Sequence, residues 1–147
     1  MPGFLPDTSC MVAAVCAWHE HHARAREEIE RRLRRAETML VAAPTLVEAY
    51  AVLTRLPSPH RLSPADALAL LEADFIAVGT ILALDGEAYV ALLRRAPEDG
   101  ISGGRMYDAV IAACASKTKG TTVLTFNASH FAPFSRRGVE IVVPGRS

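Results

Sequence analysis

Short β-rich apolar runs alternate with longer helix-forming stretches along this chain, and that alternation leaves few ways to fold. Runs at 4–5, 38–43, 75–78, 121–125 and 139–143 read as strands. Helices are predicted over 8–17, 22–36, 44–56, from 63 onward, 86–96 and 105–117. Strands separated by helices pair in parallel, and the helices then cover both faces of the sheet. The expected class is α/β: a three-layer α/β/α domain on a mostly parallel five-stranded sheet.

Local signals set the boundaries. Thr8 or Ser9 reads as the N-cap of the first helix. Pro44 suits the first turn of the third helix, and Pro57 follows its end. Ser63-Pro64 opens a fourth helix, with Ser63 as N-cap. Gly103-Gly104 marks a turn before the helix that starts at Arg105. No repeat, low-complexity tract or linker divides the 147 residues, so one domain over 1–147 is expected.

With 50% hydrophobic residues a chain of this length supports a real core. No apolar run reaches the length of a membrane span, and no secretory leader is evident at the N-terminus. Cys10, Cys16 and Cys114 form no Cys-x-x-Cys pair and read as small core residues. A reducing, cytoplasmic setting is expected. Formal net charge is zero, which argues against a whole-surface attraction to nucleic acid but leaves room for a local basic patch.

Asp7, Glu48 and Asp108 each sit at the border of an apolar segment, and Asn127 follows the run at 121–126. In open α/β sheets, ligands bind outside the carboxyl ends of the strands. Asp7 and Asn127 fall at or just past such ends, while Glu48 and Asp108 are placed in the first turns of helices. All four can face one site. Oxygen donors suit a hard cation such as Mg²⁺ or Mn²⁺. Crowded carboxylates raise one another's pKa, and a cation removes that penalty. This is the donor set of metal-assisted phosphodiester hydrolysis.

Four segments carry a family resemblance: Asp7-Thr8-Ser9, Pro44-Thr45-Leu46-Val47-Glu48-Ala49, Gly103-Gly104-Arg105-Met106-Tyr107-Asp108-Ala109, and Leu124-Thr125-Phe126-Asn127-Ala128-Ser129-His130-Phe131. In this order and spacing the chain resembles PIN-domain ribonucleases, specifically the VapC toxins of bacterial toxin–antitoxin pairs. The resemblance covers nearly the whole chain. It implies a five-stranded parallel sheet, a homodimer, metal-dependent endonuclease action on RNA that leaves a 5′-phosphate, and a VapB-like antitoxin that blocks the site. Many PIN domains carry a fourth acid where this chain has Asn127. The site therefore has three formal negative charges.

Expected roles follow. Asp7 and Asp108 are metal ligands, directly or through water. Glu48 completes the acidic shell and orients or deprotonates the attacking water. Asn127 binds water or phosphate. Thr8, Ser9 and Thr125 are candidates for hydrogen bonds to the ligands. Arg105 is a candidate RNA contact, and the helix N-terminus beside Asp108 favours its charge.

Alone, Asp7 reads as a helix cap and Asn127 as a turn residue. Apolar flanks around Glu48 and Asp108 weigh toward function, because isolated buried charge is costly. Thr8, Ser9 and Thr125 weigh toward capping. His19, His21 and His22 read as a solvated loop and helix start, and His130 as packing beside Phe131 and Phe134. Arg55-x-x-x-x-His60 has the loose spacing of a metal-independent nuclease pair, but Pro57 and Pro59 break the helix that would carry it. The main alternative is a PIN-fold module that binds RNA or protein with weak or no catalysis, Asn127 being its first sign.

Overall fold

The computed structural model describes residues 2–135 and 138–145. Its elements in chain order begin with β1 (Gly3–Pro6), α1 (Thr8–Val15), α2 (His22–Arg34), β2 (Thr38–Ala42) and α3 (Ala43–Arg55). They continue with α4 (Pro64–Leu71), β3 (Thr80–Leu82), α5 (Gly86–Arg95) and α6 (Arg105–Ser116). The chain closes with β4 (Thr122–Leu124), α7 (Ala128–Ser135) and β5 (Glu140–Val142).

The strands form one five-stranded sheet in the order β3-β2-β1-β4-β5, and every pairing is parallel. Side chains alternate across it. Phe4, Met39, Val41 and Leu124 pack with α1 to α4 on one face. Leu5, Leu40, Ala42 and Val123 pack with α6 and α7 on the other, where Phe131 is fully buried. The three layers expected from the alternation are therefore present. Cys10, Cys16 and Cys114 are free and buried, as expected. Among the described residues no helix is long and apolar enough to cross a membrane.

The strand order fixes where a site can form. The chain runs outward from β1 through β2 to β3, then returns to the other side of β1 for β4 and β5. β1 and β4 thus flank the point where the winding reverses, which opens a crevice at their carboxyl ends.

Four local expectations are corrected. The run at 75–78 is not a strand: residues Glu72–Ile76 prolong α4 as a wider π-helical turn, with Phe75 buried. Four apolar residues do not distinguish a buried helical turn from a strand. The third strand lies further on, at Thr80–Leu82, and reaches β2 past Gly79. A Cβ on Gly79 would stand 2.6 Å from Val41 Cγ2 and 3.0 Å from the Phe75 carbonyl oxygen, so glycine permits the approach. Asp7, not Thr8 or Ser9, caps α1, and α1 stops at Val15, short of residue 17. Glu48 lies in the second turn of α3 rather than the first. The helix α7 had no expected counterpart, because Pro133 within it masks the helical pattern.

Candidate active site

Asp7 sits where β1 passes into α1, with only 3% of its surface exposed. Its Oδ1 accepts hydrogen bonds from the Cys10 backbone N–H at 2.9 Å and the Ser9 hydroxyl at 2.6 Å. Its Oδ2 accepts from the Thr125 hydroxyl at 2.5 Å. Those hydroxyls also accept: Ser9 Oγ from the Phe126 N–H at 3.1 Å, and Thr125 Oγ1 from the Asn127 N–H at 2.9 Å. The Asp7 N–H donates to the Leu124 carbonyl at 2.9 Å. The two neighbouring strand ends are therefore laced together through one carboxylate. Ser9 and Thr125, candidates for hydrogen bonds to a ligating carboxylate, do hold Asp7, so neither is merely a capping or strand-end group. The Thr8 hydroxyl is shielded from solvent and has no hydrogen-bond partner among the described residues.

Burial pushes the Asp7 carboxyl up to about 6, against the ordinary 3.8, while the hydrogen bonds from Ser9, Thr125 and Cys10 pull the other way. Repulsion from Asp108 adds least. Mutual repulsion was the expected cause; removal from water is the larger one.

Asp108 lies in the first turn of α6, its side chain 19% exposed. Its carboxyl is also raised, first by burial. His130 and Arg105 hold it down, and the charge of Glu48 pushes it up. His130 is exposed and directs Nδ1 to Asp108 Oδ2 at 3.5 Å. It is not buried with Phe131 and Phe134 in the core, but it borders the same small cavity as Phe134, one helical turn on.

Asp7, Glu48, Asp108 and Asn127 line one open cleft of about 450 Å³, together with Thr8 and Ser9. Glu48 is half-buried and Asn127 exposed. Thr125 lies beneath the cleft, fully buried. Arg105 is not part of its lining; it borders a smaller cavity of about 160 Å³ with His130. Sequence reasoning missed part of the wall. His19, Glu20, His21 and Phe126 also line the cleft, and the two imidazoles are half-buried rather than solvated. The linker between α1 and α2 folds over the site, a long-range placement that its composition does not encode. His22 departs from the cleft and joins its Nδ1 to the Ala13 carbonyl oxygen at 2.9 Å. A larger cavity of about 570 Å³ lies among α5, α6 and α7, but its lining is mostly apolar and contains none of the four candidate residues.

Asp7, Glu48, Asp108, Asn127 and Thr8 fit a hard cation in kind, offering three carboxylates, an amide oxygen and a free hydroxyl, while Glu20 adds a fourth carboxylate and His19 and His21 two imidazoles to the same lining. In position they are spread. Among the described residues no three His, Cys, Asp or Glu side chains are grouped closely enough to hold a metal ion between them. Such a cleft suits a cation that keeps several of its own waters, as Mg²⁺ does.

Comparison with known proteins gives consistent matches. The PIN domain model matches residues 4–136. Ribonuclease VapC40 of Mycobacterium tuberculosis is 38% identical over 136 residues, 92% of this chain and 95% of that protein. Ribonuclease VapC27 of the same species is 33% identical over 131 residues, 89% of this chain and 82% of that protein. Among solved structures, the DNA-bound VapBC of Salmonella typhimurium is 25% identical, with a TM-score of 0.65 over 97% of this chain and 98% of that one. The sarcin–ricin loop cleaving toxin VapC20 of Mycobacterium tuberculosis shares the fold, with a TM-score of 0.67 at 20% identity over 96% of this chain and 99% of that one.

Proposed function

The chain belongs to the PIN-domain family, within its VapC ribonuclease group, and on that premise we propose that it is a metal-dependent endoribonuclease toxin held in check by a VapB-like antitoxin. The observation that carries this reading is the convergence of Asp7, Glu48 and Asp108 in one cleft at the carboxyl ends of β1 and β4, where the sheet's winding reverses.

Asp7 and Asp108 would hold Mg²⁺ or Mn²⁺, with Glu48 and the Thr8 hydroxyl engaging its waters. When bound, the cation offsets charge on the scissile phosphate and acidifies water. The chain supplies the rest. Ser9, Thr125 and the Cys10 N–H fix the Asp7 carboxylate so that it presents one orientation to the cleft. Glu48, less buried than Asp7, orients the attacking water and takes its proton. The Asn127 amide, at the exposed rim, donates to a phosphate oxygen. Arg105 contributes positive charge beside Asp108 without lining the cleft. An antitoxin segment carrying Arg or Lys would pair with the same carboxylates and exclude RNA. The protein is expected to act as a homodimer in the cytoplasm.

The test is cleavage of a mixed structured RNA by wild type and Asp7→Asn, each with Mn²⁺ and with EDTA. Cleavage by wild type with Mn²⁺ alone, leaving 5′-phosphate ends, is expected. Equal cleavage in all four reactions would refute the metal mechanism. No cleavage by folded, antitoxin-free protein would favour the non-catalytic RNA- or protein-binding module.

A further inference from the structure

Five rings run in contact from the outer surface into the cleft. His60 stacks on Trp18 with centroids 4.1 Å apart and 23° between planes. Trp18 meets His19 at 5.7 Å, and His19 meets His21 at 5.6 Å. His21 stacks on Phe126 at 4.4 Å and 17°. His19, His21 and Phe126 line the same cleft as the three carboxylates. At the outer end Trp18 is 48% exposed and His60 is exposed. The hydrolysis described above gives none of these rings a task.

Cations accompany the track. The Arg24 guanidinium lies 5.5 Å from the centre of the Phe126 ring. Arg61 follows His60, its Nε donating to the Leu56 carbonyl oxygen at 2.9 Å. Planar rings with neighbouring guanidinium groups have the composition of a single-strand nucleic-acid platform, where bases stack and phosphates meet positive charge. In an RNA duplex the base faces are hidden within the stack, so only unpaired bases can use such rings.

We propose that the track from His60 and Trp18 to His21 and Phe126 is the subsite for unpaired RNA bases flanking the cleaved phosphodiester, with Trp18 as its outer anchor. This rests on the nuclease reading of the acidic cleft, with which the track is continuous. A protein segment is the weaker occupant: the aliphatic part of the cleft wall is confined to Val12, Val52 and Ile111, too little for the apolar face of a helix.

Trp18 is the only tryptophan in the sequence, so its fluorescence reports on this subsite alone. The probe is a mixed-sequence oligoribonucleotide of about ten nucleotides, a length within the usual span of such platforms. It is titrated in EDTA, so that nothing is cleaved, both as a single strand and annealed to its complement. The single strand is expected to quench Trp18 and the duplex to leave it unchanged. Trp18→Ala is expected to weaken single-strand binding, read by anisotropy of a labelled probe, by about 5- to 150-fold. Trp18→Phe should restore most of that loss. His60→Ala, at an exposed position, serves as a second variant should Trp18→Ala fail to fold.

Folded Trp18→Ala and His60→Ala that bind the single strand as wild type does would overturn the proposal. So would variants that lose only affinity for an antitoxin peptide. The two readings fail separately. Metal-dependent cleavage indifferent to Trp18→Ala keeps the nuclease and removes the subsite; Trp18-dependent RNA binding without cleavage does the reverse.

Discussion

Replacing Asp7 by Asn should stabilise the metal-free protein at neutral pH, even though it removes the residue most central to activity. Burial raises the Asp7 carboxyl to about 6 from 3.8, roughly two pH units. At about 1.4 kcal/mol per unit, keeping the carboxylate ionised in the fold costs about 3 kcal/mol. Asn retains an oxygen to accept from Ser9 and the Cys10 N–H, but its amide nitrogen cannot accept from Thr125. That loss costs about 1 kcal/mol. The net gain is about 2 kcal/mol, or a rise in Tm of about 6 °C for a domain of this size. The sign follows from a folded pKa above the unfolded one. The favourable contribution of the protonated carboxyl is fully present below pH 3.8 and is lost as pH rises through about 6. The advantage of the variant should therefore be largest above pH 6 and should vanish or reverse near pH 4. Thermal melts in EDTA from pH 4 to 8 measure it. With Mn²⁺ the wild type should gain stability and the variant little. A variant less stable than wild type at pH 7.5 in EDTA, or a difference that does not change with pH, would refute the burial account of Asp7.

Three further outcomes are expected. Asp108→Asn should lower RNA cleavage at least about a hundredfold while the melt in EDTA is unimpaired, whereas Asn127→Ala, which removes an exposed neutral amide, should cost about tenfold or less; equal losses in a single-turnover assay would mean that Asn127 is ranked too low. Thr125→Val removes the donor to Asp7 Oδ2 and the acceptor for the Asn127 N–H, and should weaken Mn²⁺ binding about 10- to 100-fold by calorimetry. Gly79→Ala would drive a methyl group against Val41 and the Phe75 carbonyl and should destabilise by about 1–3 kcal/mol, read as a fall in Tm with no change in metal affinity.

Particular elements show how much was legible beforehand. The runs at 38–43 and 121–125 became β2 and β4 because several β-branched and apolar residues in a row have no comparable alternative between helices. Ser63-Pro64 became a cap and a first turn because its chemistry is local, Ser63 accepting from the Asp66 N–H at 3.1 Å. The run at 75–78 failed because Phe75 is buried by helical residues, and burial, not conformation, was the signal its apolar character carried. For a related reason, the sequence names Ser9 and Thr125 as candidates to hold a carboxylate but does not separate that role from capping. They are 116 positions apart by their numbers, and only the pairing of β1 with β4 brings both hydroxyls to one carboxylate.

What this sequence determines by itself is its alternation of strands and helices and the placement of acids at segment borders, because both depend on residues near in the chain; parallel pairing then follows from the helical crossovers between strands. Tertiary structure decided which of those borders meet and what each group feels there. The strand order set Asp7 beside Thr125, and burial set its pKa. The folding of the Trp18–His21 linker over the cleft, with Phe126 opposite, gave the acidic site a wall of rings. These are consequences of long-range packing and of exclusion from water, and neither quantity belongs to any residue before the chain has closed on itself.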